Sequence, residues 1–599
     1  MEWKIRKRGN NRTPYTHVKL RIGLTNGFAC VAFQYFRCSV NPGSIRILLT
    51  MGDEKISRIS DVPMASISTT ISQPYKGETT EVQGSSHFHE AITASPLDAL
   101  SKTSFQLYAI LLVAALNATA SGFDGSIFSS INAMSQYKNY FHHEELGSAT
   151  GIIFMIYTIG NIVGSLFTGP ICDHFGRRAG MGTGSVLIIA GSAILTAAQN
   201  DSYLLGGRFL LGFGVSIGTS SAPTYALEVA PPQWRARVVG YYNTFFYSGA
   251  ILATGVAYAS NKSDSELAFR LPLALQIIPP IFILAGSFVI PESPRWLCAR
   301  GKRDHAAAIL AKYHGGGHMD HPIVRLELRE FEESIKVQKA QSWWNYWDLV
   351  ENHNARWRFL MNAFMSFFAQ MAGNSVLTYY LPSMYTQLGI VSTERRLLLT
   401  FAASIVSCSG AIVGSATNDW IGRRTKLWVG SILLACFFGA VTGFSSPFDN
   451  GESPNASLSN AGVSMIFLFG IVYSFVYTPL TATYCAEVQN NHTRAKGMGV
   501  HVIMSNCANL YNTYVTAIAL EAVSWRYYFL FVGLNLIYAF VWFFLGVETR
   551  GRTLEELDAV FDSKWPPRAA LAKTIMIKQH DGHLQGIGSP ESNKQPTEV

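Results

Sequence analysis

Two ionisable side chains stand inside long apolar stretches: Asp124, in Gly122-Phe123-Asp124-Gly125-Ser126, and Arg208, in Gly206-Gly207-Arg208-Phe209-Leu210. A charge placed inside a membrane helix costs roughly 2.5 to 3.5 kcal/mol on insertion scales, so such residues mark function unless water reaches them. Opposite charges in one bundle are expected to pair, and a carboxylate with a neighbouring cation is a group whose proton affinity rises when the cation moves away.

A second constellation occurs twice. Gly169-Pro170-Ile171-Cys172-Asp173-His174-Phe175-Gly176-Arg177-Arg178 is echoed by Ser415-Ala416-Thr417-Asn418-Asp419-Trp420-Ile421-Gly422-Arg423-Arg424, the two sharing Asp-x-x-Gly-Arg-Arg between apolar runs. Glu228 with Arg235 recurs as Glu487 with Arg494, and Pro291-Glu292-Ser293 as Val547-Glu548-Thr549. Three echoes in one order indicate an internal duplication. The chemistry these residues offer is ion pairing at helix ends in a partly dehydrated layer, where losing one partner costs more than in open water.

A third pattern is polar. Gln370, Asn374 and Thr378 recur every four residues, with Ser375 and Tyr379 beside them, and Asn506, Asn509 and Thr513 do likewise, flanked by Ser505 and Asn512. That spacing puts each set on one helical face. Such stripes also serve as glue between helices, but amides both donate and accept and therefore suit a polyhydroxylated ligand. Paired carboxylates, a metal-spaced His cluster and a phosphate loop are missing from the core, so no catalysis, cofactor or metal is expected. The eight cysteines are scattered without a Cys-x-x-Cys pair, which supports neither a disulfide framework nor a zinc site.

The elements that must position these groups follow from composition. The 599 residues are 48% hydrophobic and only 14% charged, against about 25% charged in a soluble domain, the balance of a membrane protein. Apolar spans are expected near 105–127, 147–169, 180–198, 203–226, 237–259 and 270–290, then 358–386, 396–417, 427–445, 463–485, 498–520 and 526–546. The organisation read from this is a disordered N-terminal segment (1–104), a six-helix bundle (105–290), a helical linker (291–357), a second six-helix bundle (358–548) and a polar tail (549–599). Within the first segment, Met51 reads as a more natural start. The net charge of +8 falls in loops after even-numbered spans, which identifies those loops as cytoplasmic rather than nucleic-acid binding and puts both termini inside. Sequons at Asn261 and Asn455 then face outward.

The repeated motifs, Pro223-Thr224-Tyr225-Ala226-Leu227-Glu228-Val229 with Arg235, Pro291 to Leu297, and Val547-Glu548-Thr549-Arg550-Gly551 resemble the sugar porter family of the major facilitator superfamily, over roughly residues 105 to 562. Gly373 to Pro382, with Tyr242-Asn243-Thr244, is similar to fungal lactose-permease-type and hexose transporters. The resemblance implies an all-α membrane protein of twelve transmembrane helices in two six-helix pseudo-repeats. It implies a cytoplasmic salt-bridge layer of Asp173, Arg177, Arg178, Glu228, Arg235, Glu292, Arg295, Asp419, Arg423, Arg424, Glu487, Arg494 and Glu548, holding the outward-open state. It implies a sugar site made of Asn243, Gln370, Asn374, Ser375, Thr378, Tyr379 and Asn509, and a proton acceptor at Asp124 governed by Arg208. Gln370 matches the second glutamine of the family's Gln-Gln-Leu-Ser-Gly-Ile-Asn pattern, whereas Ala369 replaces the first and Ala482 a tenth-span Trp. These departures favour a disaccharide over a hexose. The expected activity is proton-coupled sugar symport by a monomer in the plasma membrane, with sugar, proton and the lipid bilayer as its only partners and no nucleic acid. A facilitative hexose uniporter and a non-transporting sugar sensor are the alternatives.

The charge pattern makes a testable statement: reporters fused to the two ends of the chain should both read as cytoplasmic, and an extracellular C-terminus would contradict the assigned orientation.

Overall fold

The computed structural model describes residues 100–339, 345–418, 420–449, 456–490, 493–552 and 554–571, with short strands between residues 2 and 63 and between 574 and 588. The chain divides into two units, Met1–His87 and Phe88–Val599. In the first, six short antiparallel strands are described, among them Tyr15–Arg21, Phe36–Asn41 and Ser44–Leu49. The alternating Tyr-Thr-His-Val-Lys-Leu-Arg run explains strand pairing where the sequence reading expected no regular structure. Met51, Asp419 and Asn455 lie outside the described residues.

The second unit is built of twelve spans. The first half has Lys102–Asn132, Ser148–Phe175, Arg177–Thr196, Asp201–Val229, a fifth span in two pieces (Pro232–Tyr242 and Phe245–Ser260) and a sixth in two pieces (Leu267–Leu275 and Ile278–Val289). The second half has a seventh span in two pieces (His353–Met371 and Asn374–Gln387), then Thr393–Ala416, Arg423–Asp449, Ala456–Val488, Arg494–Val523 and Tyr528–Leu545. Eight helical stretches among the described residues are long and apolar enough to cross a membrane, and one of them, Arg494–Leu545, holds two spans. The fourth, fifth and seventh spans fall short for local reasons. The fourth carries Arg208 and a stretch rich in glycine, serine and threonine that lowers its hydropathy, the fifth breaks at Asn243–Thr244, and the seventh breaks at Ala372–Gly373.

Local chemistry sets several boundaries. The Ser101 hydroxyl accepts from the Ser104 amide at 3.1 Å and starts the first span, and the Asn200 side chain accepts from the Tyr203 amide at 3.3 Å and starts the fourth. In the sixth span Pro279 and Pro280 lack the N–H groups that would bond the Leu275 and Gln276 carbonyls, and the helix interrupts there. At Gly373 the backbone takes φ +105°, and a side chain would collide with the Phe438 ring, so only glycine fits this break.

The packing repeats with the sequence. Spans three and four pair, as do nine and ten; spans two and four correspond to eight and ten, and spans one and five to seven and eleven. The halves meet along two related seams, span two against eleven and span five against eight. The linker helices Pro294–Ala299, Arg303–Tyr313 and Pro322–Lys339 share a small core of Leu310, Val324, Leu328 and Phe331.

Spans one and five approach backbone to backbone at Gly122 and Gly249. A Cβ on Gly249 would lie 1.9 Å from the Thr119 carbonyl oxygen, whereas one on Gly240 would meet nothing within 4 Å. Gly249→Ala should therefore destabilise the protein in detergent by about 1–3 kcal/mol through forced separation of the two spans. Gly240→Ala, at an open helical position, should leave the thermal midpoint unchanged or raise it, and equal midpoints for the two variants would refute the close approach.

Candidate functional site

At one end of each half, a glutamate closes a bracket around the start of a helix. Glu292 Oε1 accepts from the backbone amides of Arg177 at 3.0 Å and Arg178 at 3.4 Å. Its counterpart Glu548 accepts from those of Arg423 at 2.8 Å and Arg424 at 3.1 Å. A carboxylate there satisfies orphan N–H groups and faces the positive end of the helix dipole. Burial pushes the Glu292 carboxyl above its usual range, and the backbone donors offset this only in part.

The side chains around each bracket are duplicated as well. Arg177 reaches Glu228 at 3.2 Å and Arg423 reaches Glu487 at 2.9 Å. Ser293 donates to Glu228, and Thr549 to Glu487, at 2.5 Å in both halves. Tyr225 donates to the Pro291 carbonyl at 2.7 Å and Tyr484 to that of Val547 at 2.9 Å. Arg178 bonds the Ser287 carbonyl, and Arg424 that of Phe543. Asp173 contributes a pair to Arg177 at 2.9 Å from an exposed position, where such pairs are worth little.

Two arginines that the sequence grouped with this layer go elsewhere. Arg235 pairs with Glu327 of the linker at 2.7 Å, which fastens a linker helix to the first half, whereas Arg295 donates to Ser334 at 3.0 Å and ties one linker helix to another. His314, between Glu327 at 2.5 Å and the Val229 carbonyl at 3.0 Å, completes that attachment. The Arg494 amide bonds the Asn490 carbonyl at 3.0 Å, while its buried Nε finds no partner.

Asp124 and Arg208 are both 1% exposed. Among the described residues no ion pair joins them. Asp124 Oδ1 instead accepts from Gln276 Nε2, at the break of the sixth span, and Oδ2 has no partner. Arg208 donates to the Ile153 carbonyl at 3.3 Å and lies over the rings of Phe128 at 4.3 Å and Tyr157 at 4.8 Å. The guanidinium is thus held by a carbonyl and aromatic faces, a cation–π solution to its burial, and acts on Asp124 through space.

The polar residues expected to meet a ligand form two groups on either side of the seventh span. Ser375 donates to Asn509 at 3.2 Å, the Tyr379 hydroxyl also reaches Asn509, and Asn509 approaches Thr158 of the second span at 3.5 Å, so this group spans both halves. Asn374 and Thr378, 3.3 Å apart, face the other way, into a cavity of about 80 Å³ lined also by Tyr247, Thr254, Ser404 and Ser474. Tyr247 closes it by bonding Ser474 across the halves at 2.6 Å. Asn243 lies nearby and approaches the Thr478 carbonyl at 3.5 Å. Gln370 ends the helix before the Gly373 break, so the four-residue stripe is interrupted between it and Asn374; its carbonyl accepts from Asn512 at 2.7 Å, which makes Asn512 a helix-packing residue. Ala369 and Ala482 do not line the cavity. Thr158, Tyr247 and Gln276 escaped the sequence reading, because single polar residues in apolar runs carry no periodic signal.

At the end opposite the brackets the halves are joined directly. Arg396, 4% exposed at the start of the eighth span, donates to both oxygens of Glu145 at 2.9 Å, and Ser383 adds a bond to Glu145 at 3.0 Å.

The model of the sugar (and other) transporter family matches residues 110–561. The MFS-type transporter criB of Aspergillus cristatus is 31% identical over 453 residues, which cover 75% of this chain and 92% of the relative. The high-affinity glucose transporter of Kluyveromyces lactis is 26% identical over 506 residues, covering 81% and 91%, and the quinate permease of Neurospora terricola is 27% identical over 483 residues, covering 77% and 89%. In fold, the chain is similar to the partially occluded inward-open xylose transporter XylE from E. coli, with a TM-score of 0.62 at 19% identity over 75% of this chain and 99% of that one.

Removing either bracket carboxylate leaves helix-end amides unsatisfied at a half-buried site. Glu292→Ala and Glu548→Ala should each cost about 1–3 kcal/mol, read as a drop in the thermal midpoint of the detergent-solubilised protein. Because the brackets lie in different halves, the losses should add in the double variant.

Proposed function

The chain belongs to the sugar (and other) transporter family, and from that premise we propose that it is a secondary active symporter, carrying a sugar together with a proton by alternating access. One observation carries this reading: Asp124 is a fully buried carboxylate with one oxygen unpartnered, inside a span, beside a buried cation. A group so placed gains by binding a proton and has no packing role that a neutral residue would not fill better. Sugar hydroxyls would be met by Asn374, Thr378, Ser375, Tyr379 and Asn509, with Asn243 and Gln370 at the margins. The site lies where the halves meet, the location expected for a rocking transporter.

Where the sequence favours a disaccharide with a hexose as the alternative, a hexose-sized polyol is the substrate proposed here. Ala369 and Ala482 do not enlarge the cavity, and relatives bear the names glucose transporter and quinate permease. The Glu145–Arg396 bridge spans the halves on the side assigned as external, and opening that side requires it to break. The duplicated brackets each lie within one half. The transporter works as a monomer in the plasma membrane with both termini cytoplasmic. A facilitative hexose uniporter is the second reading.

Asp124→Asn separates the two. Accumulation of radiolabelled sugar against its gradient should vanish while counterflow survives; a variant that still concentrates sugar in a pH-dependent way would place the proton elsewhere. Alanine at Asn374 or Asn509 should weaken apparent affinity by about 1 kcal/mol per lost contact, and unchanged affinity in both, at normal surface expression, would remove them from the site.

A further inference from the structure

The amide of Gln276 and the carboxyl of Asp124 are in contact at the break of the sixth span. Gln276 is 1% exposed and, like Asp124, sealed from water. One bond joins them, Gln276 Nε2 to Asp124 Oδ1. The two atoms left over, Asp124 Oδ2 and Gln276 Oε1, are both buried acceptors without a donor. Buried acceptors are rarely left so, and two on adjoining side chains have one simple remedy. A single proton on Oδ2 would donate to Oε1 and close an eight-membered acid–amide ring, which satisfies both at once.

We propose that Gln276 is the positioning residue of the proton site: it forms this ring with protonated Asp124, tying the sixth span to the first through two bonds, and keeps only the Nε2–Oδ1 bond when the proton leaves. The proposal rests on the reading of Asp124 as the proton acceptor. The proton enters from water on one side, binds Oδ2 and leaves to water on the other, with no further bond made or broken. In the ionised state Oδ2 and Oε1 face each other as two acceptors, and the ring opens at that edge. The charged and titratable groups around the pair are Arg208 of the fourth span and Tyr157 of the second, with Tyr137 and Tyr379 beside Arg208. Since Arg208 is bound to the Ile153 carbonyl and to ring faces, the amide is the group that senses the proton by direct contact. The break that Pro279 and Pro280 impose on the sixth span puts Gln276 at a joint, where a bond made or lost alters the angle between the two helical pieces.

The test exchanges the two functional groups while keeping every heavy-atom position. In Asp124→Asn/Gln276→Glu the carboxyl sits on the sixth span and the amide on the first, and the same ring closes around one proton. The probe is whichever of radiolabelled D-glucose, D-xylose, quinate or lactose the native chain accumulates, followed in intact cells with and without a protonophore. Asp124→Asn alone should lose accumulation, and the exchanged pair should recover about ten-fold over it, the factor expected for one restored buried hydrogen bond. If the exchanged pair reaches the surface and performs counterflow but accumulates no better than Asp124→Asn, the ring is refuted and the symport reading stands. If Asp124→Asn itself still accumulates, the symport reading fails and the ring with it. Should the exchanged pair not reach the surface, Gln276→Met decides. A roughly ten-fold loss of accumulation with counterflow retained supports the ring, whereas native accumulation, or equal loss of both activities, overturns it.

Discussion

Every ionisable group in the spanning part of this chain has had to be reconciled with the loss of water, and the architecture follows from how that was done. Glu228 and Glu487 each take an arginine and a hydroxyl, and Arg208 takes a carbonyl and ring faces. Asp124 takes an amide but keeps one oxygen bare. Three of these four groups are thus settled within the fold as it stands. The fourth is settled only by a proton.

The duplicated scaffold carries an unduplicated load. The brackets, the Tyr225 and Tyr484 bonds to the chain leaving the sixth and twelfth spans, and the packing of spans three with four and nine with ten recur in both halves. Asp124 and Arg208 occur in the first half alone, whereas the amide-rich seventh and eleventh spans belong to the second. Contacts between the halves are mixed in kind and include the Tyr247 hydroxyl to Ser474, Asn509 to Thr158, the Phe154 ring against Tyr379 and Tyr380, and the Glu145–Arg396 pair. Two halves each fastened internally and meeting along side-chain seams suit a machine that moves by rocking.

The twelve spans, their duplication and the charged helix ends were legible in the sequence because each leaves a local record: apolar runs of membrane length, repeated words and clustered charge. The breaks in the fifth, sixth and seventh spans were not, since an apolar run does not reveal that Pro279, Pro280 or Gly373 interrupts it. Partner choice was legible only in part. Arg177 and Arg423 found the expected glutamates, but Arg235 paired with Glu327 of the linker, and Arg295, itself in the linker, bonded Ser334. Gln276 and the Glu145–Arg396 bridge arise from contacts between residues 152 and 251 positions apart, a separation at which pattern carries no information. The stripe at Gln370, Asn374 and Thr378 held its residue types but lost its continuity at the glycine break.

The brackets also bear on how the chain is made. Glu292 and Ser293 follow the sixth span, and Glu548 and Thr549 follow the twelfth, so the residues that fasten each half are the last of that half to leave the ribosome. Chains fold domain by domain as synthesis proceeds, the N-terminal unit first. The first half therefore has all its internal fastenings by the time residue 293 emerges, with the whole second half still to be translated. Until then the start of the third span is an open helix end with orphan amides.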